Sequence, residues 1–191
     1  MPAPLLSTTY FGPVEWYSLL ARHTSVWLEA CETFPKQSYR NRCHIAGVSG
    51  MLALTVPVEG ASSGHTPLKE VRLSDHGNWR HHHWSALRTA YGKSPFFEYY
   101  ADDFAPFYLE RRYDFLLDFN LALHELVCEL IDLNVPLARS EQYTGAQFPV
   151  AEELRPYYQV FAQRLGFLPD LSIADLLFNM GPESLLVLTA G

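Results

Sequence analysis

The opening of the chain constrains its fold more than any other segment. Residues 3–9 form a short strand-like run that ends at Tyr10-Phe11-Gly12-Pro13. Pro13 suits the first turn of a helix, where its missing N–H is not needed and its fixed φ is already helical. Glu15 places a negative charge at the positive end of the helix dipole. Val14, Tyr17 and Leu20–Ala21 then recur at helical spacing to about His23, and Ser25-Val26-Trp27-Leu28 reads as a buried strand. Strand, helix and strand this close together form a βαβ unit, with parallel strands and a right-handed crossover.

The middle of the chain adds a hairpin and then helices to that unit. Cys43–Val48 and Met51–Val58 flank Ser49-Gly50 and predict a hairpin, with a further strand at Val71–Leu73. The Gly/Ser-rich stretch 60–67 predicts a mobile loop. Trp79, His83, Leu87 and Ala90–Tyr91 share one helical face up to Gly92, and Ser94-Pro95 opens another helix to about Phe104. The longest helix is expected over 112–133, with Leu116, Phe119, Leu123, Val127 and Leu130 inward and Asp114, Asp118, Glu125, Glu129 and Asp132 outward. Residues 137–143 suggest a strand, 144–154 a loop, and Tyr157–Phe161 a short strand or helical turn. Ser172-Ile173-Ala174-Asp175 is a capping-box variant opening a helix that Gly181 ends, and Pro182-Glu183 opens a last short one. The expected class is α/β, as a single domain over 1–191. In it the βαβ unit and the hairpin form a mixed sheet, followed by a largely helical second half.

Composition excludes several classes. A chain of 191 residues with 48% hydrophobic and 18% charged residues is globular rather than disordered. There is no apolar run long enough to span a bilayer, and no basic-then-apolar leader. Cys31, Cys43 and Cys128 are scattered, with no Cys-x-x-Cys pair, so neither a disulfide scaffold nor a thiolate metal site is expected and the location expected is cytoplasmic. The net charge of −7 argues against nucleic acid, but it is unevenly spread: residues 1–97 sum to +3 and residues 98–191 to −10. No acidic residue lies between Glu32 and Glu59 or between Asp75 and Glu98. Those windows hold Lys36, Arg40, Arg42, Arg80, Arg88, Lys93 and five histidines, a setting for an anion.

Lys36-Gln37-Ser38-Tyr39-Arg40-Asn41-Arg42 is the densest of these stretches. If it is extended, Arg40 and Arg42 point the same way and can clamp a phosphate or carboxylate, while Asn41 faces away and ties down the loop. Arg80-His81-His82-His83 cannot hold one metal ion, because adjacent helical side chains diverge by about 100°. No metal site is expected, and His83 on the apolar face is either a core residue or an acid–base group. The acidic edge Glu98, Asp102 and Asp103 is equally explained by solvation. Tyr10–Glu15 and Glu29–Arg42 both come directly after expected strands, and open α/β sheets gather ligands at the carboxyl ends of their strands. There is no Gly-x-Gly-x-x-Gly, no Walker loop and no Gly-x-Ser-x-Gly, so the residue types specify no cofactor and no reaction.

A series of separated motifs resembles the WbqC-like family of bacterial proteins, in the branch common in Bacteroidetes-type bacteria. They are Tyr10-Phe11-Gly12-Pro13-Val14-Glu15-Trp16-Tyr17, then Glu29, Glu32 and Phe34, the Lys36–Arg42 stretch, Thr55-Val56-Pro57-Val58, His83-Trp84, and the segment Tyr91 to Asp103. Gly166-Phe167, Asp170-Leu171-Ser172-Ile173 and Leu177-Phe178-Asn179-Met180-Gly181 complete them. Other branches begin with His-Gln-Pro-x-Tyr, where this chain has Ser7-Thr8-Thr9-Tyr10. The resemblance implies a transferase of surface-polysaccharide (O-antigen-type) biosynthesis, passing an amino acid such as glycine to an amino sugar or a nucleotide-activated sugar. The alternative is a non-catalytic sugar-phosphate-binding or scaffold protein of such a pathway. On the first reading Glu15 or Glu29 engages the nucleophile and His83 assists proton transfer. Lys36, Arg40 and Arg42 bind the phosphate, with Tyr10, Tyr39 and Asn41 orienting the substrate. The expected partner is a phosphate-bearing sugar or nucleotide sugar, and self-association is left open.

Overall fold

The computed structural model describes residues 3–60, 65–143, 145 and 155–190. The opening βαβ unit is present. β1 (Leu5–Ser7) leads through α1 (Val14–Ala21) to β2 (Val26–Glu29), and β1 and β2 pair in parallel with Leu6 opposite Leu28. A third parallel strand, β7 (Leu137–Arg139), joins the other edge of β2, giving the order β1-β2-β7. It stops at Arg139, short of the expected 143.

The hairpin forms where Ser49-Gly50 predicts it, as β3 (Arg42–Gly47) and β4 (Gly50–Thr55). It does not extend the parallel sheet, contrary to the mixed sheet expected. β3 stands in a two-stranded sheet of its own, and the carbonyl of His44 accepts the N–H of Ser172. A second small sheet pairs β5 (Val58–Glu59) with β6 (Arg72–Leu73). Of the expected loops at 60–67 and 144–154, residues 61–64, 144 and 146–154 lie outside the described residues.

α2 (Trp79–Tyr91), α3 (Phe97–Leu109) and α4 (Leu116–Leu130) make up much of the rest. α4 begins later than its periodicity suggests, because residues 114–116 pair with another segment. The Leu73 N–H donates to the Asp114 carbonyl and the Leu116 N–H to that of Val71. It ends at Leu130, and beyond the cap residue Ile131 the chain turns at Asp132, whose φ of 56° is left-handed, with the Leu133 N–H returning to the Cys128 carbonyl. After the short α5 (Ala162–Leu165) comes α6 (Ile173–Met180), buried at every residue from Ile173 to Asn179, and α7 (Ser184–Thr189) closes the chain. No strand forms over Tyr157–Phe161.

A helix buried on all sides is a core element rather than an amphipathic cover. α6 accordingly sits among α1, α2 and α3, with the Phe178 ring edge-on to Phe97 and Phe104. Gly181 ends it at φ 54°, where a side-chain Cβ would stand 2.5 Å from the Phe96 ring, so only glycine fits. Among the described residues no helix is long and apolar enough to cross a membrane.

Candidate functional site

The carboxyl ends of β1, β2 and β7 are occupied by two hydrogen-bonded groups. Arg40 grips Glu32 with both ends of its fork, Nε to Oε1 at 3.0 Å and Nη2 to Oε2 at 2.6 Å, and Nη2 also donates to Ser7 Oγ at 2.6 Å. The pair is largely out of water, with side-chain exposures of 11% and 7%. Glu29 is fully buried, and its Oε1 accepts from Ser140 Oγ at 2.7 Å and from the Cys31 N–H at 2.8 Å. Asn41 Nδ2 donates to the Val56 carbonyl at 2.9 Å, and Asn120 Nδ2 donates to the Arg40 carbonyl at 2.7 Å. Together these bonds hold the loop leading to β3 in place.

Behind that loop lies a buried chain of three rings. Tyr10 Oη is 2.8 Å from both Tyr108 Oη and His83 Nδ1. Burial pushes His83 down to about 4, against a smaller opposing pull from the Thr55 backbone, so at neutral pH it is uncharged. Burial likewise holds Tyr10 and Tyr108 far above the ordinary phenol range.

A third cluster has a different character. The amino ends of α1 and α6 are stitched together, the Val14 N–H donating to the Leu171 carbonyl (3.1 Å) and the Ile173 N–H to that of Gly12 (2.8 Å). Glu15 stands in the first turn of α1. Asp170 precedes α6 with a left-handed φ of 60°, a conformation that the short polar side chains tolerate best. Tyr39 Oη donates to Asp170 Oδ1 at 2.6 Å, and His44 Nδ1 lies 3.2 Å from Asp170 Oδ2. The Tyr10 N–H bonds to the Tyr39 carbonyl and places the ring. The backbone N–H groups of Glu15 and Asp170 favour the charged carboxylate, yet Glu15 Oε2 is buried with no partner among the described residues. Burial, reinforced by the nearby Asp170 charge, pushes the Glu15 carboxyl above its ordinary range. Burial and the Asp170 hydrogen bond keep Tyr39 protonated.

Asp175, in the first turn of α6, accepts from Tyr91 and Tyr157 hydroxyls at 2.8 Å each. Burial outweighs these donors and pushes it up to about 6. Ser172 occupies the N-cap position of α6, but its buried Oγ makes no capping bond and has no partner among the described residues. The capping-box expectation thus holds for position and not for the bond. Arg42 is two residues before His44 on β3, hence on the same face, with its Nε donating to Thr55 Oγ1 at 3.0 Å.

A carboxyl with raised proton affinity and an unused oxygen beside two helix amino ends can take a hydrogen bond or a proton from an amine or hydroxyl. Glu15 and Tyr39 are the expected site residues that the fold brings to this place, and Arg42 lies two positions from His44 on the same face of β3, bonded to Thr55. The fold also brings His44, Asp170, Asp175 and Tyr157, to which sequence reasoning gave no role. For His44 the signal was present, since strand alternation from Arg42 puts it on the same face. Tyr10 and His83 lie in the core instead of on an accessible surface, and Glu29 and Asn41 are buried as loop anchors. Arg40 and Arg42 do not form the expected clamp, because residues 38–41 make a turn that sends Arg40 inward to Glu32. Lys36 is exposed on the loop before it. Among the described residues no three His, Cys, Asp or Glu side chains converge as metal ligands.

The chain is 28% identical over 189 residues to an uncharacterized protein of Mycobacterium tuberculosis, Rv1507c, covering 79% of this chain and 81% of that one. No solved structure matches it. The model of the WbqC-like protein family matches residues 8–154, a span holding Glu15, Tyr39, Arg42 and His44. With more than half of its length so matched, the chain belongs to the WbqC-like protein family.

Proposed function

We propose that the protein is a transferase of surface-polysaccharide biosynthesis that joins an activated amino-acyl group, such as glycyl, to the amine of a phosphate-bearing or nucleotide-linked amino sugar. The observation that carries this reading is the unpartnered, buried Oε2 of Glu15. A buried acceptor left without a donor costs about 1–3 kcal/mol, which a ligand N–H or O–H recovers. In the reaction the sugar nitrogen attacks the acyl carbonyl and a C–N bond forms. The bond to the activating group breaks, and the nitrogen's proton passes to Glu15. A carboxyl with raised proton affinity suits that role better than an ordinary one. Asp170 and Tyr39 orient the ammonium or amine, and Arg42 meets the phosphate.

Thermal shift with UDP-linked amino sugars and their N-acetylated counterparts tests the recognition. Saturation at about a hundredfold the dissociation constant adds ~2.7 kcal/mol, or roughly 5–10 °C at this size. The free-amine sugar is expected to shift the wild type and not Glu15→Gln, and the acetylated one to shift neither. Mass spectrometry after supplying a glycyl thioester then looks for the glycylated sugar. Equal shifts with both sugars would refute the amine assignment. Binding without product from the activated donor would put the protein in the non-catalytic class.

A further inference from the structure

The two faces of the three-stranded parallel sheet differ in character. Alternation along the strands puts Leu6, Val26 and Leu28 on the buried face. The register aligns Leu5, Trp27 and Ala138 in one row across the other. Parallel sheets ordinarily bury both faces. Here Trp27, on the central strand, is 47% exposed, while Trp16, Trp79 and Trp84 are 1%, 4% and 9% exposed. Ala138, its neighbour across the ladder, is too small to cover an indole ring. The outcome is an open cavity of about 710 Å³ with Leu5, Trp27 and Ala138 at its base and Glu141 and Gln142 along the chain that leaves β7, while Arg139, paired with Leu28, borders it from the edge strand and directs its side chain to the other face. Ser140 also lines it, but its hydroxyl is committed to Glu29.

We propose that this face is a saccharide-binding platform, on which an uncharged sugar ring stacks against Trp27 while its hydroxyls bond to Glu141 and Gln142. The flat apolar surface of an exposed indole matches the C–H face of a pyranose, and rings that are part apolar and part wet are favoured at binding surfaces. The polar side chains on this side are one carboxylate, Glu141, and one amide, Gln142. A carboxylate repels a phosphate, so the lining selects a neutral polyol over a nucleotide. Planar groups of these types can meet neighbouring hydroxyls two at a time. None of the residues belongs to the Glu15 cluster. The platform therefore takes a neutral part of a glycan and stands or falls separately from the proposed transfer reaction.

Trp27 is the most exposed of the four tryptophans, so acrylamide quenching of tryptophan fluorescence reads it directly. N-acetylglucosamine, N-acetylgalactosamine and the β-linked tetramer of N-acetylglucosamine serve as probes, with UMP as the nucleotide control. At least one saccharide is expected to remove most of the accessible quenching, and UMP to leave it unchanged. Saturation-transfer NMR is expected to show Trp27→Ala weakening that saccharide by about tenfold or more, with Trp27→Phe recovering part of the loss. Glu15→Gln should leave the quenching protection intact, which separates a failure here from a failure of the transfer mechanism. Four results overturn the proposal: no protection by any of the saccharides, protection by UMP instead, undiminished binding by Trp27→Ala, or concentration-dependent shielding of Trp27 without sugar. The last would mean that a second copy covers the face.

Discussion

The Glu32–Arg40–Ser7 group and the Glu15–Asp170–Tyr39 group use similar side chains and reach opposite states. In the first, a buried carboxylate meets both arms of a guanidinium, and a serine hydroxyl bonds to both. In the second, Asp170 is bonded by Tyr39 and faces His44, but Glu15 keeps one buried oxygen without a partner among the described residues. A closed polar network specifies structure, whereas an open one stores a demand that a ligand can meet. Charge alone would have ranked them the other way, since the arginine of the closed group was the expected anion binder.

The largest effect should come from breaking the closed group. Arg40→Ala leaves Glu32 buried and unpaired, and is expected to cost about 3–5 kcal/mol in urea unfolding. A double Arg40→Met, Glu32→Leu protein should recover most of that, because it removes both charges together. A small effect of Arg40→Ala would show that the pair is solvated and would dissolve the contrast.

Acidification tests the buried histidines and Asp175 together. His83 and His124 are both held down to about 4 from the ordinary 6.5 by burial. The unfolded chain therefore binds protons that the native state refuses, and stability falls as pH drops from about 6.5 to 4, by about 3 kcal/mol for each. Asp175 acts in the opposite sense. Pushed up to about 6 from 3.8, it takes a proton in the native state before the unfolded chain does, and its strain is relieved as pH falls through 6. Over that range it offsets about one histidine. Urea midpoints between about pH 7 and pH 4 should show a net loss near 3 kcal/mol, and Asp175→Asn should steepen it. A flat profile would mean that the histidines are not desolvated.

Tyr10→Phe removes the hydroxyl that links Tyr108 to His83 and should cost about 1–3 kcal/mol. Ring packing is retained, so a larger loss would point to rearrangement of the core. Glu15→Gln should sit at the bottom of the scale, within about 0.5 kcal/mol in stability, while losing the response to amine-bearing sugars. That separation of stability from binding is the sharpest test of the contrast, and a strongly destabilised Glu15→Gln would make Glu15 another structural carboxylate.

Local elements were legible wherever a few neighbouring residues decide them. The βαβ opening, the turn at Ser49-Gly50, the helix from Trp79 to Tyr91 and the stop at Gly181 come from spacing and from backbone conformation at single residues, whereas Gly92 follows its helix with a right-handed φ of −58° instead of a left-handed cap. Departures arise where a segment bonds to a distant one. α4 starts late because the backbone around Phe115 is tied to β6 and Val71, and the hairpin stays apart from the parallel sheet with Ser172 bonded to the edge of β3. Asn41 shows both sides: its anchoring role was readable from alternation with the arginines, but the Val56 carbonyl it finds was not.

The α/β class, the parallel opening unit, the order of the helices and the family are all written in the amino-acid order, because periodicity, caps and motifs involve residues close along the chain. Which polar side chains are spent and which remain available was settled by tertiary packing alone. Arg40 and Arg42 are two positions apart yet serve different surroundings, while Tyr39 and Asp170 are 131 positions apart yet share a hydrogen bond. Desolvation and hydrogen-bond satisfaction depend on what the folded chain places within a few ångströms, and spacing along the sequence does not encode that.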